Sequence, residues 1–288
     1  MTEPRTEPIP SLVSTQWLDD HLADPRVVVL DASKHLPDAG RNPREEYETG
    51  HIPGARFLDL DSLTDTSSCV PAALPTPEQV ARRLADLGVT LDDRIVLYDD
   101  SAVRTSARAW FALTAHGVKR VAILDGGLAK WRGEGRALES GTPDIAATEP
   151  ATLVAPRGVV TKRDVLSVLD GEPDQIVDAR AADRVYGPGE DPVHGGQNGR
   201  IPGALNLPFG QVFDDDGLYR SPGELRAAFE GAGVDLTQPI ITSCGSGVTA
   251  SVLLFALHLA GKDDVSLYDG SWQEWSADPD TPKAQGPE

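Results

Sequence analysis

The stretch Ile240-Ile241-Thr242-Ser243-Cys244-Gly245-Ser246-Gly247-Val248-Thr249-Ala250-Ser251 lies near the C-terminal end of the chain and predicts a reactive cysteine. A short β-branched run leads into the cysteine, a loop with two glycines follows, and the strongly apolar segment 252–257 begins a helix. This order of strand, tight loop and helix places the sulfur over the helix N-terminus. The N–H groups there are unpaired, and the helix dipole favours negative charge. A thiolate in that position is stabilised and reactive.

A buried structural cysteine at the end of a strand is the alternative, because free cysteine packs like a small hydrophobe. Gly245 and Gly247 favour the reactive thiol. Glycines let successive amides turn inward and form an anion-binding nest. A purely structural turn rarely needs that much backbone freedom.

The composition is typical of a globular protein. The chain has 288 residues, enough for two domains, with 40% hydrophobic and 25% charged residues. Its net charge of −19 and its pI near 4.6 argue against nucleic acid and against anionic membrane surfaces as partners. An anionic substrate therefore needs a local positive pocket.

Cysteine usage argues for a reducing compartment. Cys69 and Cys244 are too few for a disulfide framework, and no Cys/His cluster predicts a metal site. The first eight residues lack the apolar core of a signal peptide, and the longest apolar run, 252–260, is too short to span a bilayer. We therefore expect a cytoplasmic protein with no membrane association, no metal and no cofactor.

Continuous apolar runs predict buried parallel strands, and capped periodic segments predict helices. In the first half, the predicted strands are Val27–Ala32, Arg94–Asp99 and Val121–Gly127, and the predicted helices are Gln16–Leu22 after Ser14 or Thr15, Pro77–Leu87 after Thr76, Ser106–His116 and one that starts at Leu128.

The same order of elements repeats in the second half. At nearly constant separations, Val159–Leu169 matches the opening helix, Gln175–Arg180 the first strand, Pro239–Cys244 the strand that ends at Asp99, and Val265–Trp275 the segment that ends at Trp131. A period this long indicates a duplicated domain and not a solenoid.

The repeat predicts an α/β fold with two domains, each a mainly parallel sheet flanked by helices. We expect domains at 10–138 and 158–280 and a linker at 139–157, which is rich in Gly, Pro, Ala, Thr and Glu. Residues 279–288 are expected to form a frayed tail.

Ligands of parallel α/β sheets bind beyond the carboxyl ends of the strands. Asp99 and Cys244 are expected at equivalent strand ends of the two domains. The same position therefore carries a carboxylate in the first domain and a nucleophile in the second. We expect thiol chemistry in the second domain only.

Both halves of the chain resemble the tandem-domain sulfurtransferases of the rhodanese family. The resemblance rests on Gly50–Ala55 with Gly199–Ala204, on the Asp-Gly-x-Trp-x-x-Trp run Asp269–Trp275, and on the loop Cys244–Thr249. It implies two tandem rhodanese-like domains, of which the N-terminal one is inactive and the C-terminal one is catalytic.

The loop after the cysteine carries the information on the substrate. Thiosulfate sulfurtransferases of the family usually have basic residues there, whereas Cys-Gly-Ser-Gly-Val-Thr resembles 3-mercaptopyruvate sulfurtransferases. The resemblance implies transfer of sulfane sulfur from 3-mercaptopyruvate, through a Cys244 persulfide, to a thiol or cyanide, with release of pyruvate. The amides of Gly245, Gly247, Val248 and Thr249 are expected to bind the anionic sulfur. Thiosulfate remains an alternative donor, since a nest of amides also binds a sulfonate-like group.

The leaving enolate needs a proton. In the family, a serine of the loop and a histidine of the first domain are proposed to relay it, and by this resemblance the positions are Ser246 and His51. A solvated histidine at a turn is the alternative for His51. Asn42 stands where an acidic partner is expected, so a complete relay is not evident from the sequence.

The substrate carboxylate needs a cation. The family places an arginine shortly after the Asp-Ala-Arg strand end, and Arg184 matches it. A second family arginine normally follows nine residues later, where this chain has Val193 with His194 beside it. Arg200 is a candidate to compensate. A surface arginine paired with a neighbouring carboxylate is the alternative for Arg184.

Two rival functions follow from the same loop. A cysteine phosphatase needs Cys-x5-Arg, and Ala250 stands at the arginine position, which argues against it. A persulfide carrier without turnover of its own remains open. The resemblance implies a thioredoxin-like or low-molecular-weight thiol as the acceptor, and Cys69 is predicted to be a bystander.

Overall fold

The computed structural model describes residues 9–171 and 173–286. The first half contains β1 (Leu12–Val13), α1 (Thr15–His21), β2 (Val27–Asp31), α2 (Pro43–Thr49), β3 (Arg56–Phe57), α3 (Pro77–Asp86), β4 (Arg94–Tyr98), α4 (Ser106–Ala115), β5 (Val121–Leu124) and α5 (Gly127–Gly133). The second half contains β6 (Val159–Val160), α6 (Lys162–Leu169), β7 (Gln175–Asp178), α7 (Ala182–Tyr186), β8 (Leu205–Asn206), α8 (Pro222–Gly231), β9 (Ile240–Ser243), α9 (Val248–Leu259), β10 (Val265–Tyr268) and α10 (Ser271–Ala277). Short 3-10 helices lie at Pro37–Ala39, Leu60–Leu63 and Phe209–Val212.

Each half forms a five-stranded sheet. The strand orders are β1-β5-β4-β2-β3 and β6-β10-β9-β7-β8, and neighbouring strands in both sheets run parallel. The two orders are the same once the repeat is aligned, so the predicted pair of parallel α/β domains is confirmed. The short strands β1, β3, β6 and β8 lie at the sheet edges, where two paired residues leave too little pattern to predict them.

Helix starts agree with local capping chemistry. The side chain of Thr76 accepts a hydrogen bond from the Gln79 N–H, the Gln79 side chain bonds back to Thr76, and Pro77 occupies the first helical position of α3. Ser14 caps α1 in the same way, through the Trp17 N–H. The predicted starts of α1 and α3 lie within one residue of the observed ones, whereas the helix expected over Val159–Leu169 begins only at Lys162, because Val159 and Val160 form β6 and Thr161 caps α6.

The two sheets share one hydrophobic core through α4 and α9. Trp110 on α4 meets Phe255 on α9 edge to face, with ring centroids 4.8 Å apart. One cluster of buried side chains runs from the first sheet through both helices to the second sheet. This position between two sheets explains why α9 is apolar on all sides. None of the helices within residues 9–171 and 173–286 is long and apolar enough to cross a membrane.

The C-terminal segment contacts the second domain as far as residue 286, and the expectation of a frayed tail from 279 onward is wrong for the described residues. The Trp275 indole N–H donates to the Pro282 carbonyl at 2.8 Å. Arg200 and Ala284 exchange two backbone hydrogen bonds of 3.0 Å. Proline and glycine suggested a loose end, but a buried tryptophan and a strand-like pairing hold it. Residues 287–288 lie outside the described residues.

Candidate active site

Cys244 follows the last residue of β9 and lies at the N-terminus of α9. Its side chain is buried, and the Gly247 N–H donates to Sγ at 3.1 Å. Gly247 has φ of +83°, a left-handed conformation that turns its amide back toward the sulfur, and α9 begins at the next residue. The sulfur therefore receives a backbone hydrogen bond and the positive end of a 12-residue helix.

The start of α10 fixes the backbone of the cysteine loop. The Trp272 N–H donates to the Cys244 carbonyl and the Gln273 N–H to the Gly245 carbonyl, both at 2.9 Å. The Ser271 hydroxyl accepts from the Cys244 N–H at 3.2 Å and donates to the Tyr268 carbonyl. With its carbonyls and its first amide engaged, the loop has little freedom to turn its remaining N–H groups away from the sulfur.

An ion pair between Arg108 of the first domain and Asp269 of the second packs against the cysteine loop. Arg108 of α4 donates to the Asp269 carboxylate at 2.7 Å and to the Ala72 carbonyl at 2.9 Å. The other Asp269 oxygen accepts the Leu74 N–H at 2.6 Å. A Cβ atom at Gly247 would lie 2.8 Å from Arg108 Nη1, so the guanidinium packs directly against the loop. The geometry of the second-domain loop therefore depends on a first-domain arginine.

Cys244 opens on a cavity of about 430 Å³ between the two domains. The first domain contributes Lys34, His35, Leu36, Pro37, Ala72, Val103 and Thr105, and the second contributes Arg180, Ala181, Arg184, Val193, His194, Phe209, Cys244, Gly245, Ser246, Val248, Thr249 and Gln273. Apolar side chains form much of the wall, and the basic groups of the second domain stand beside the cysteine. A small organic anion fits such a cavity.

Arg180 is the most deeply buried cation of the cavity. Asp178 pairs with Ser243 in the sheet, which brings the residues after them, Arg180 and Cys244, to the same edge. The Arg180 side chain has 0% exposure and bonds Asp178 and the Gly199 carbonyl, and its Nη1 has no hydrogen-bond partner among the described residues. Burial opposes the charged form, yet Asp178, Asp191 and Cys244 together raise the pKa of Arg180.

Arg184 reaches the cavity already paired with Asp191. Its Nη2 lies 2.8 and 2.7 Å from the two carboxylate oxygens. Burial alone would raise the pKa of Asp191, but the bonds from Arg184 and from the Val193 and His194 amides outweigh it and hold that pKa below its usual range. Arg184 is 18% exposed and is therefore the more accessible of the two guanidiniums.

His194 covers the residue that follows the nucleophile. A methyl group at Gly245 would overlap its imidazole ring, so the ring packs on the loop backbone, and Arg184 Nη2 lies close by. Burial, with Arg184 and Arg180, lowers the pKa of His194, although Asp191 opposes this. A neutral imidazole therefore faces the cavity at neutral pH.

Most residues predicted for the site lie together, and His51 does not. Ser246, Arg184 and the loop residues Gly245, Val248 and Thr249 line the cavity as expected, while Gly247 donates its N–H to Cys244 Sγ. His51 is instead buried in the first domain, stacked on Tyr47 at 4.1 Å, with its Nδ1–H donating to the Tyr47 carbonyl at 2.7 Å. The carbonyl four residues back in α2 holds the ring away from the cavity. Its expected part in a relay with Ser246 is not supported, and Asn42 caps α2 instead.

Arg200 also lies away from the cavity lining. Its guanidinium stacks on the Tyr186 ring at 4.9 Å and donates to the Gly286 carbonyl. Its backbone pairs with the C-terminal segment at Ala284. The expectation that Arg200 replaces the missing second arginine is therefore wrong, because these contacts direct the side chain to the tail.

Arg180, His35 and His194 were not predicted as site residues. Arg180 and His35 follow the strand ends Asp178 and Asp31, so the rule that ligands bind beyond parallel strand ends was a usable signal. His194 lies in an irregular loop and gave no such signal. Within the described ranges 9–171 and 173–286, no group of three or more His, Cys, Asp or Glu side chains is arranged to hold a metal.

Comparison with known proteins identifies what the chain resembles. A model of the rhodanese-like domain matches residues 14–134 and 161–278. The 3-mercaptopyruvate sulfurtransferase of Escherichia coli (strain K12) is 41% identical over 271 residues, covering 94% of this chain and 96% of the relative. The thiosulfate sulfurtransferase of Cricetulus griseus is 38% identical, covering 96% of each. The crystal structure of SseA from Escherichia coli, a 3-mercaptopyruvate sulfurtransferase with the rhodanese fold, superposes with a TM-score of 0.83 at 40% identity and covers 92% of this chain and 99% of that chain.

Proposed function

The chain belongs to the rhodanese family of sulfurtransferases, and from this premise we propose that it moves sulfane sulfur from 3-mercaptopyruvate to a thiol acceptor through a persulfide on Cys244. The observation that carries the proposal is the position of Cys244. Its sulfur accepts the Gly247 N–H at the start of α9 and faces a cavity of about 430 Å³. The relatives named 3-mercaptopyruvate sulfurtransferase align with this chain over nearly its whole length.

The charge balance of the cavity favours a monoanionic donor. Arg180 and Arg184 are opposed by the buried carboxylates of Asp178 and Asp191, so this wall is close to neutral. Lys34 is paired with Asp61 at 2.6 Å. A second negative charge about 4 Å from the thiolate costs about 4 kcal/mol at an effective dielectric constant near 20. Thiosulfate brings that second charge, and 3-mercaptopyruvate does not.

The proposed transfer begins when the Cys244 thiolate attacks the substrate sulfur. A sulfur–sulfur bond forms and the bond between sulfur and C3 breaks. The electron pair moves onto the enolate of pyruvate, and the proton first carried by the substrate thiol ends on C3. The products are an anionic Cys244 persulfide and pyruvate.

The cysteine loop is suited to an anion at every stage. The Gly247 N–H already points at the sulfur, and the loop backbone is held by Trp272 and Gln273. Donors fixed in this way stabilise charge without reorganising during the reaction. Val248 and Thr249 begin the helix whose dipole adds to the effect.

We assign the substrate carboxylate to the two guanidiniums beside the cysteine. Arg184 is partly accessible from the cavity, and Arg180 offers a buried Nη1 that lacks a hydrogen-bond partner among the described residues. That Nη1 makes only an ion-pair contact of 3.6 Å with Asp191, so a carboxylate oxygen that accepts a hydrogen bond from it binds favourably. We assign Ser246, which lines the same cavity, to the substrate carbonyl as a hydrogen-bond donor.

A thiol acceptor completes the cycle by attack on the outer persulfide sulfur. We propose a thioredoxin-like dithiol or a low-molecular-weight thiol in this role, and a reducing compartment such as the cytoplasm as the site of the reaction. Thiosulfate is the second candidate donor. The relative named thiosulfate sulfurtransferase, similar over almost the whole chain, favours it.

The test is sulfur transfer to cyanide and to thioredoxin, with 3-mercaptopyruvate or thiosulfate as donor. Wild type is compared with Cys244→Ser and with Cys69→Ser, a matched change at an exposed free cysteine. We expect a clear preference for 3-mercaptopyruvate, no turnover in Cys244→Ser and wild-type turnover in Cys69→Ser. A preference for thiosulfate would contradict the donor assignment. Persulfide loading without turnover of either donor would favour a carrier.

A further inference from the structure

The cavity contains two histidines that the sequence motifs did not assign. His35 belongs to the first domain and His194 to the second, and both line the space in front of Cys244. The proposed reaction needs a group that takes a proton from the substrate thiol and returns it to C3. His51, the histidine expected for this step, is buried elsewhere.

His194 packs against the residue that directly follows the nucleophile. That residue is Gly245, and a methyl group there would overlap the His194 ring. The backbone amide of His194 donates to Asp191 at 3.1 Å, and so does that of Val193 at 2.9 Å, which fixes the loop that carries the ring. The ring nitrogens make no hydrogen bond to the residues that the structure describes, and Nε2 is the ring atom nearest to the Cβ position of Gly245, so neither nitrogen is committed to a protein partner.

We propose that His194 is the proton-transfer residue of sulfur transfer from 3-mercaptopyruvate, and that its position over Gly245 places it within reach of both the substrate sulfur and C3. The proposal deepens the proposed function and rests on it. The chemical class of the substrate is a β-mercapto α-keto acid, whose cleavage requires a proton at carbon.

The step balances without any further reactant. Neutral His194 accepts the proton from the substrate S–H as the Cys244 thiolate attacks that sulfur. The bond from sulfur to C3 breaks, and its electron pair forms the enolate. The imidazolium then donates the same proton to C3, which becomes the methyl group of pyruvate. His194 is again neutral, and the persulfide anion stays on Cys244.

The surroundings of His194 suit a base that is neutral at the working pH. Asp191, Arg184 and Arg180 act on it from its own domain, and Cys244 shares the cavity with it. Lys34 and His35 line the cavity from the first domain. Burial and the two guanidiniums lower the pKa of His194 more than Asp191 raises it, which favours the neutral imidazole.

His35 is less suited to the step. Its Nε2 is held by Glu46 at 2.9 Å, and Glu46 is itself held by Arg41 at 2.7 Å. That network anchors the 34–37 segment, which forms the opposite wall. His35→Gln is therefore the comparison variant, because it makes the same chemical change on the opposite wall of the cavity.

The experiment compares His194→Gln, His35→Gln and wild type with two donors. Glutamine keeps a hydrogen-bonding side chain of similar size but does not take up a proton at these pH values. Transfer from thiosulfate breaks a sulfur–sulfur bond and needs no proton at carbon, so it reports on folding, on anion binding in the cavity and on Cys244 without the proton-transfer step. We expect His194→Gln to lower kcat with 3-mercaptopyruvate by about 10²-fold and single-turnover persulfide formation from thiosulfate by less than about threefold.

The pH profile separates proton transfer from a structural role. With 3-mercaptopyruvate, wild-type kcat is expected to fall on the acid side as His194 becomes protonated, and His194→Gln is expected to lack this limb. Added imidazole is expected to restore part of the activity of His194→Gly. Equal losses with both donors, an unchanged acid limb, or a larger loss in His35→Gln would overturn the proposal. A wild type inactive on 3-mercaptopyruvate would instead refute the proposed function.

Discussion

Asp99 and Cys244 occupy equivalent strand ends in the two domains, and their surroundings differ in the group that accepts the loop amides and in the space in front of it. The Asp99 carbonyl accepts the Leu128 N–H at 3.1 Å, just as the Cys244 carbonyl accepts the Trp272 N–H at 2.9 Å. The Asp99 carboxylate, however, itself accepts the Ser101 and Ser106 amides at 2.9 and 2.8 Å. In the first domain the Asp99 carboxylate thus accepts the loop amides, whereas in the second domain the Cys244 sulfur does so.

The space in front of the two residues follows the same difference. The cavity at Asp99 is about 10 Å³, and side chains of the second domain, among them Phe213 and Tyr219, help to line it. The cavity at Cys244 is about 430 Å³. A permanent carboxylate satisfies the amide donors and leaves no room for a ligand, whereas a thiolate with an open cavity can exchange sulfur. The two domains therefore share the backbone fold at this position, but only the second has the side chain and the cavity that sulfur transfer requires.

Converting the second site into the first has the largest expected effect. In Cys244→Asp the carboxylate can accept the Gly247 N–H, so the fold should persist, but no nucleophilic sulfur remains. We expect sulfur transfer from either donor to fall by at least about 10³-fold. Circular dichroism checks that the variant is folded. The reciprocal Asp99→Cys should gain no transfer activity, since its cavity is closed; measurable turnover in a Cys244→Ser background would contradict the comparison.

Breaking the ion pair between the domains comes next. Arg108 and Asp269 are only 10% and 11% exposed, so Asp269→Asn leaves a buried guanidinium without its counter-charge. We expect a loss of about 3 kcal/mol in the free energy of unfolding, measured in urea. The matched variant Glu48→Gln breaks an exposed pair, with 47% and 45% exposure for Arg44 and Glu48, and should cost no more than about 0.5 kcal/mol. Equal losses of unfolding free energy in the two variants would mean that burial does not increase the contribution of the Arg108–Asp269 pair to stability.

Changing the charge of the catalytic cavity should move its donor preference. Asp191→Asn removes the buried carboxylate that neutralises Arg184, which gives the cavity one more positive charge. The ratio of kcat/KM for thiosulfate to that for 3-mercaptopyruvate is expected to rise by about tenfold, because a dianion gains more than a monoanion. Glu190→Gln makes the same change in charge at an exposed neighbour and should leave the ratio near that of wild type. A ratio that shifts equally in both variants would show that only the net charge matters.

The smallest effect is expected at Asp99. Burial raises the pKa of Asp99 above its ordinary value of 3.8, although the Ser106 and Ser101 hydrogen bonds oppose this. The folded protein therefore binds more protons at Asp99 than the unfolded chain does above that value, and this contribution to stability falls as the pH rises. The unfolding free energy of wild type relative to Asp99→Asn should accordingly increase as the pH is lowered from neutral. If the difference in unfolding free energy between wild type and Asp99→Asn stays constant or decreases on acidification, the pKa of Asp99 is not raised in the folded protein.

The central strands and the duplicated α/β architecture could be predicted because apolar runs and the repeat are visible along the chain, but the two-residue edge strands β1, β3, β6 and β8 could not. Continuous apolar runs marked β2, β4, β7 and β9, and the Thr76 cap marked the start of α3. The repeat then gave the architecture, and the strand-end rule placed Cys244 and Arg184 at one cavity.

The rest of the site depends on contacts between distant residues. His51 was expected at the cavity, but the Tyr47 carbonyl and ring hold it inside the first domain. The backbone of Arg200 pairs with that of Ala284 in the C-terminal segment, and no local sequence pattern predicts this pairing. His194 reaches Gly245 from an irregular loop whose path is set by hydrogen bonds to Asp191.

Mass spectrometry of the intact protein after one equivalent of 3-mercaptopyruvate shows which residue carries the transferred sulfur. We predict that wild type gains the mass of one sulfur atom, that peptide mapping locates it on Cys244, and that a thiol reductant removes it. Cys69→Ser should gain the same mass, and Cys244→Ser and Cys244→Asp should gain none. Pyruvate formation without any added mass on Cys244, or a persulfide on Cys69, would contradict the assignment of Cys244 as the residue that carries the sulfur.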